Sequence, residues 1–239
     1  MTFAQFSRQA RLSQREFCLQ MLSEHRDSIK IKKDKTAVKN LELIFESTLR
    51  LSNQKGFQAM TMRDLSAATG LSMGTLYDHF SSKDELLEML QATHGRVIGR
   101  ALEQGVADIE GPWEKLSAAV RTHLFISEAL QPYFFFAYME SRHLGPVQRK
   151  RAKEGELATE RFFSDIIQEG QAAGVLAPVD AELTASLIKA MVQDWYLKRW
   201  KYSARHVSVG RYADMVIDML RAHCLPGQDA LPPEKATRQ

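Results

Sequence analysis

Side chains able to grip a phosphate backbone gather between positions 72 and 83, among them Thr75, Tyr77, His79 and Lys83. Hydroxyl, imidazole and ammonium groups in such a run suit contact with nucleic-acid phosphate oxygens, which position a protein without reading sequence. Ser72, Met73 and Gly74 stand at the leading end of the same stretch, where a recognition helix meets base edges in the major groove. Gly74 lets a backbone come close, either to DNA or to a crossing helix. Asp78 either accepts from a cytosine amino group or turns to the flank. Other chemistry is not visible. The seven histidines show no ligand spacing with cysteine or with one another, and there is no glycine-rich phosphate loop, G-x-S-x-G elbow or nucleophile with an evident base. No enzyme, metal or cofactor is expected; a buried polar pair between His123 and Asp194 is the most that the remaining polar groups suggest.

Local signals set the elements that must hold these groups. Thr61-Met62-Arg63-Asp64 has the form of a capping box and starts a helix. Leu65 and Ala68 form its inner face, and Gly70, which tolerates positive φ, stops it while Leu71 anchors the turn. Ser72 is placed to cap a second helix whose buried pair is Leu76 and Phe80, at i and i+4. A third helix begins at the S-x-x-E box Ser82 to Glu85, with Lys83 beside the exposed end of the second. Two short helices, a tight turn and a third helix start form the pattern of a DNA reader.

From about Lys35 to Leu90 the chain resembles the DNA-binding domain of the TetR family of bacterial transcriptional regulators. The resemblance rests on Gly56-Phe57 through Thr61 to Leu65, on Ala68-Thr69-Gly70-Leu71-Ser72, on Gly74-Thr75-Leu76-Tyr77-Asp78-His79-Phe80, and on Lys83 to Leu87. It implies a helix-turn-helix within a three-helix domain, joined to an all-helical domain for ligand binding and dimerisation. By resemblance and by chemistry, phosphate contacts fall to Thr75, Tyr77, His79 and Lys83, with Thr61 behind them.

Around this centre the 239-residue chain has 44% hydrophobic and 26% charged residues and a formal charge of +3, too small to diagnose a nucleic-acid partner. The local excess is clearer: Arg26, Lys30, Lys32, Lys33, Lys35 and Lys39 face only Asp27 and Asp34. Two cysteines are too few for a disulfide framework. Neither a signal peptide nor a transmembrane run is visible, so no membrane partner is expected and the cytoplasm is the default compartment. Another capping box at Ser13 to Glu16 and the spacing of Cys18, Leu22, His25 and Ile29 predict an amphipathic helix from Ser13 to Lys30, whose basic end either reaches DNA or is solvated. Further helices are expected at about 35–54, onward from Ser82, after Gly111-Pro112, at 133–139, 147–173, 180–202 and 208–224. The expected all-α chain has an N-terminal extension (1–34), a reader (35–81), a helical ligand and dimerisation domain (82–225) and a disordered tail (226–239).

Apolar stripes at Leu183, Leu187, Met191 and Trp195 and at Tyr212, Val216 and Met219 either pair with their copies in a second chain or bury against their own; the family resemblance implies the former, a homodimer on a near-palindromic stretch of double-stranded DNA. Aromatics concentrated on several helices either fill a core or line a pocket; in a domain that by resemblance holds a cavity they imply a largely apolar effector lined by Phe125, Phe134, Phe135, Tyr138, Phe163 and Trp195. The segment from Asp194 to Tyr202 is similar to the C-terminal helix of family members associated with fatty-acid or acyl-CoA metabolism. That similarity suggests an acyl chain on a polar carrier such as coenzyme A, with Lys198, Arg199 and Lys201 either meeting its phosphates or solvated. The function expected is a ligand-responsive repressor. The alternative is a DNA-bound regulator of a protein partner such as the cell-division machinery.

Overall fold

The computed structural model describes residues 2–9 and 14–226, and within them the only regular structure is helical. Helices α1 (Phe3–Gln9) and α2 (Gln14–Glu24) precede α3 (Asp34–Lys55), α4 (Met62–Thr69), α5 (Met73–Tyr77) and the long α6 (Lys83–Val106). Then come α7 (Pro112–Ala129), α8 (Gln131–Glu140), a 3₁₀ turn at Ser141–His143, α9 (Pro146–Ala172), α10 (Ala181–Leu197), α11 (Arg199–Ala204) and α12 (Val209–Cys224). Starts follow local chemistry. Pro112 and Pro146 open α7 and α9, where a missing N–H costs nothing. Asp180 and Ser208 accept from the backbone of Leu183 and Arg211 to cap α10 and α12.

Two hydrophobic cores lie side by side. The first gathers α2, α3, α4 and the start of α6 around Phe17, Leu41, Phe45, Leu65, Leu76 and Leu87. The second gathers the rest of α6 with α7, α9, α10 and α12 around Leu124, Phe163, Ile188, Trp195 and Leu220. Helix α8 serves both. Tyr133 and Phe136 enter the first core, the Tyr133 ring lying 4.5 Å from Phe17 and 5.1 Å from Phe45, whereas Phe134 enters the second. The Tyr133 hydroxyl donates to the carbonyl of Leu90, fixing α8 to the middle of α6.

The structure departs from the sequence reading in three places. The N-terminal helix stops at Glu24, because Arg26 donates to the Ile29 and Lys32 carbonyls and the Ser28 hydroxyl donates to that of His25, closing a turn where the helix was expected to continue. The helix expected over 180–202 breaks at Lys198. In an unbroken helix Trp195 and Tyr202 would sit about 10 Å apart along the axis; the break brings their rings to 5.0 Å in a stack. Helix α1 carried no sequence signal and packs Phe3 and Phe6 each 5.5 Å from the Phe125 ring. Ser13 and the tail beyond position 226 lie outside the described residues.

Candidate functional site

The helix-turn-helix is built by its caps. Thr61 Oγ1 accepts from Asp64 N–H at 3.1 Å and the Asp64 carboxylate accepts from Thr61 N–H at 2.8 Å, a closed capping box. Lys55 adds an ion pair at 2.6 Å, and the hydrogen bonds from Lys55 and Thr61 hold the Asp64 carboxyl below the usual carboxylate range. Gly70 ends α4 at φ 71°, a conformation costly for any residue with a Cβ. The Ser66 hydroxyl donates to the carbonyl of Leu71, pinning the turn at 2.6 Å. Ser72 then caps α5 by accepting from Thr75 N–H at 3.1 Å, and Leu76 is fully buried beneath. At the start of α6, Ser82 caps as expected, but Glu85 reaches one residue further back and accepts from Ser81 N–H and Oγ.

This scaffold leaves Ser72, Gly74 and Tyr77 exposed on one outward surface, with Met73 and Thr75 half-buried beside them and Thr61 exposed at the start of α4. Tyr77 keeps 45% of its surface open. A Cβ on Gly74 would meet nothing closer than Ser72 Oγ at 3.8 Å, so no crossing helix among the described residues explains that glycine. Asp78 sits at the far end of α5, and its carbonyl accepts from Lys30 N–H at 2.7 Å. Lys83 is committed differently from expectation. Its ammonium donates to the carbonyls of Phe57 and Gln58 at 3.1 and 2.8 Å, tying the loop after α3 to the start of α6.

His79 requires a correction. It has no exposed surface; its Nδ1 lies 2.8 Å from the Thr75 carbonyl, and burial lowers its pKa. Helix α5 closes at Tyr77, and the turn that follows swings His79 inward beside Phe80, so it cannot reach a phosphate in this arrangement.

A cavity of about 990 Å³ opens between α6, α8, α9 and α10. Met89, Ile98, Phe134 and Ala137 supply apolar wall, and Tyr138 stands at the rim. Lys189, itself buried, pairs through Nζ with Glu156 at 2.8 Å, and Gln193 donates to the same carboxylate. His94 and His123 face the same space and are neutral: burial first, then the Lys189 ammonium, lowers the pKa of His94 to about 3 and that of His123 well below its usual value. Around the exposed rim lie Arg96, Arg142, Arg149, Arg151 and Lys153, so with Lys189 the lining holds six cations against the carboxylates of Glu85, Glu88 and Glu156. His25, just past α2, also lines it, and Arg96 pairs at 2.8 Å with Glu24 of that helix.

Of the six aromatics expected around a ligand, the cavity takes only Phe134 and Tyr138. Phe125 is buried under α1, Phe135 is half-buried elsewhere, Phe163 lies within the second core, and Trp195 donates through Nε1 to Glu128 at 3.0 Å. Phe125, Phe163 and Trp195 fill the second core because their helices turn them away from the gap between α6 and α9, and Phe135 joins neither core. The cations of the 194–202 segment are spent internally: Arg199 binds Glu128 through two donors, and Lys198 and Lys201 bind Asp194. Asp194 and His123 share no hydrogen bond; both ring nitrogens of His123 lack a partner. The true rim cations, on α9 and the turn before it, carried only the bland signal of a charged helix face.

The profile of bacterial regulatory proteins of the tetR family matches residues 44–90, and that of the tetracyclin repressor-like C-terminal domain matches residues 110–221, together more than half of the chain. The HTH-type transcriptional regulator HbdR of Aromatoleum sp. (strain CIB) is 23% identical over 171 residues, covering 72% of this chain and 74% of that protein. Among solved structures, AibR in complex with isovaleryl coenzyme A and operator DNA shares the fold with a TM-score of 0.64 at 22% identity, over 74% of this chain and 95% of that one. FadR from Bacillus subtilis in complex with stearoyl-CoA shares it with a TM-score of 0.60 at 17% identity, over 74% and 96%.

Proposed function

The chain belongs to the TetR family of DNA-binding bacterial regulators, and from that premise we propose that it is a repressor released from DNA by an acyl-coenzyme A. The observation that carries this reading is the cavity between α6 and α9, whose apolar wall suits an acyl group and whose cationic rim suits the phosphates of the carrier. The coenzyme A complexes of two proteins of the same fold support it. A cavity of this size also favours a small molecule over a protein partner as the signal.

At the DNA surface, Ser72, Met73 and Gly74 read bases, while Thr75 and Tyr77 hold phosphates with Thr61 behind them. Lys83 acts there mainly by fixing the loop after α3, with at most its third N–H left for a phosphate. The operator is a near-palindrome met by a dimer, the reader spans residues 35–81 and the effector domain residues 82–225, and the site of action is the bacterial cytoplasm, where the DNA is. Among the described residues no helix is long and apolar enough to cross a membrane.

The test is release of the protein from the DNA flanking its own gene, followed by fluorescence anisotropy across acyl-CoAs of increasing length. Free coenzyme A and planar aromatic cations serve as controls. Release by at least one acyl-CoA well below the concentration at which free coenzyme A acts is expected. Release by the aromatic cations alone would overturn the effector assignment.

A further inference from the structure

The inner wall of the cavity is more polar than an acyl chain alone would use. His123, on α7, is fully buried, lines the cavity, and has no hydrogen-bond partner at Nδ1 or Nε2. Buried polar atoms are nearly always satisfied, so a side chain with two open positions in an enclosed wall marks where something else supplies the partner. Its surroundings narrow the candidates. The Phe134 ring lies 6.1 Å from the imidazole and the Phe163 ring 6.4 Å, so two of its neighbours are aromatic rings that carry no hydrogen-bonding oxygen or nitrogen. Lys189 lines the same space, and its pairing with Glu156 engages one of three N–H donors. Tyr196, two turns along α10 from Lys189 and also buried, lines the same cavity and adds a third polar side chain to its wall.

Resting on the acyl-CoA reading above, we infer that the inner wall takes an oxygen-bearing group on the acyl part, so that the effector is a hydroxy- or oxo-acyl thioester and not a plain saturated one. A hydroxyl or carbonyl oxygen accepts from the imidazole N–H or the Lys189 ammonium, and a hydroxyl also donates to the bare imidazole nitrogen. A saturated chain of the same length leaves those groups unpaired, and burying unpaired polar groups is what makes such sites reject the deoxygenated analogue.

The experiment compares hexanoyl-CoA with 6-hydroxyhexanoyl-CoA and 6-oxohexanoyl-CoA, both for direct binding by calorimetry and for release from DNA, using the full chain and its His123→Phe and His123→Gln variants. In the unaltered protein at least one oxygenated thioester binds about tenfold more tightly than hexanoyl-CoA. His123→Phe erases or reverses that preference and His123→Gln retains part of it. Equal affinities in the unaltered protein, or a preference that His123→Phe leaves intact, would sink the inference while the acyl-CoA reading stands. If no thioester binds at all, the acyl-CoA reading falls and takes this inference with it. Because the preference is read first in the unaltered protein, a variant that fails to fold does not remove the test.

Discussion

At the scale of single residues, Tyr77 and His79 are two positions apart in sequence and opposite in exposure. The Tyr77 hydroxyl stands on an open surface, whereas His79 is sealed in with its Nδ1 against the Thr75 carbonyl. If Tyr77 holds a phosphate as proposed, Tyr77→Phe should weaken binding to all DNAs alike by about 0.5–1.5 kcal/mol, with the thermal unfolding midpoint unchanged. His79→Gln should instead lower the unfolding free energy by about 1–3 kcal/mol and leave the dependence of DNA affinity on salt as it was. Anisotropy titrations over a salt series, paired with thermal unfolding, separate the two. A flatter salt slope with normal stability in His79→Gln would return that residue to the DNA surface.

At the scale of elements, α2 is a structural member with charged edges. Phe17, Cys18, Met21 and Leu22 are buried against α3 and α6, and Thr93 and Arg96 of α6 both bind Glu24. Leu22→Ala should cost about 2–5 kcal/mol of stability by leaving a cavity in the first core. Replacing the exposed Lys32 and Lys33 by alanine should leave stability alone and lower the salt slope of DNA binding by about two. An unchanged slope would make this basic stretch merely solvated. What the sequence disclosed about these elements was local: the caps at Thr61, Ser72 and Ser82 and the stop at Gly70 each act within a few residues and were legible, as were the helix starts near 180 and 208. Partner choice was not. Tyr133, Phe134, Phe135 and Phe136 look alike in a row, and only the packing of α8 across two cores decides that one of the four faces the cavity. The break at Lys198 was hidden for the same reason, since no glycine or proline marks it and it is made by Asp194 gathering Lys198, Lys201 and Tyr202.

At the scale of the whole molecule, one face is left uncovered by the chain itself. Leu183 and Leu187 on α10 are 58% and 56% exposed, and Met215 and Met219 on α12 are 61% and 56% exposed. Trp195 and Val216, also expected there, are buried within their own chain. The smaller set still makes an apolar face of two helices, the kind that a second copy covers by two-fold symmetry. Leu187→Glu with Met219→Glu should convert a dimer into a monomer in sedimentation experiments at micromolar concentration, and weaken operator binding with it. A dimer that survives both changes would place the interface elsewhere.

The short connection after α2 bears on how such a protein can be taken apart. Ile29 is sunk in the core of the reader, and the next amide, Lys30 N–H, is bonded to the carbonyl at the end of the recognition helix, while the helix before it is fastened to α6. The reading head is thus latched from both sides and is not an interchangeable cassette. A chimera cut at the start of α3 would discard the latch; a graft meant to give this effector domain a new operator has to carry residues 14–30 across with the head, or redesign the surface they cover.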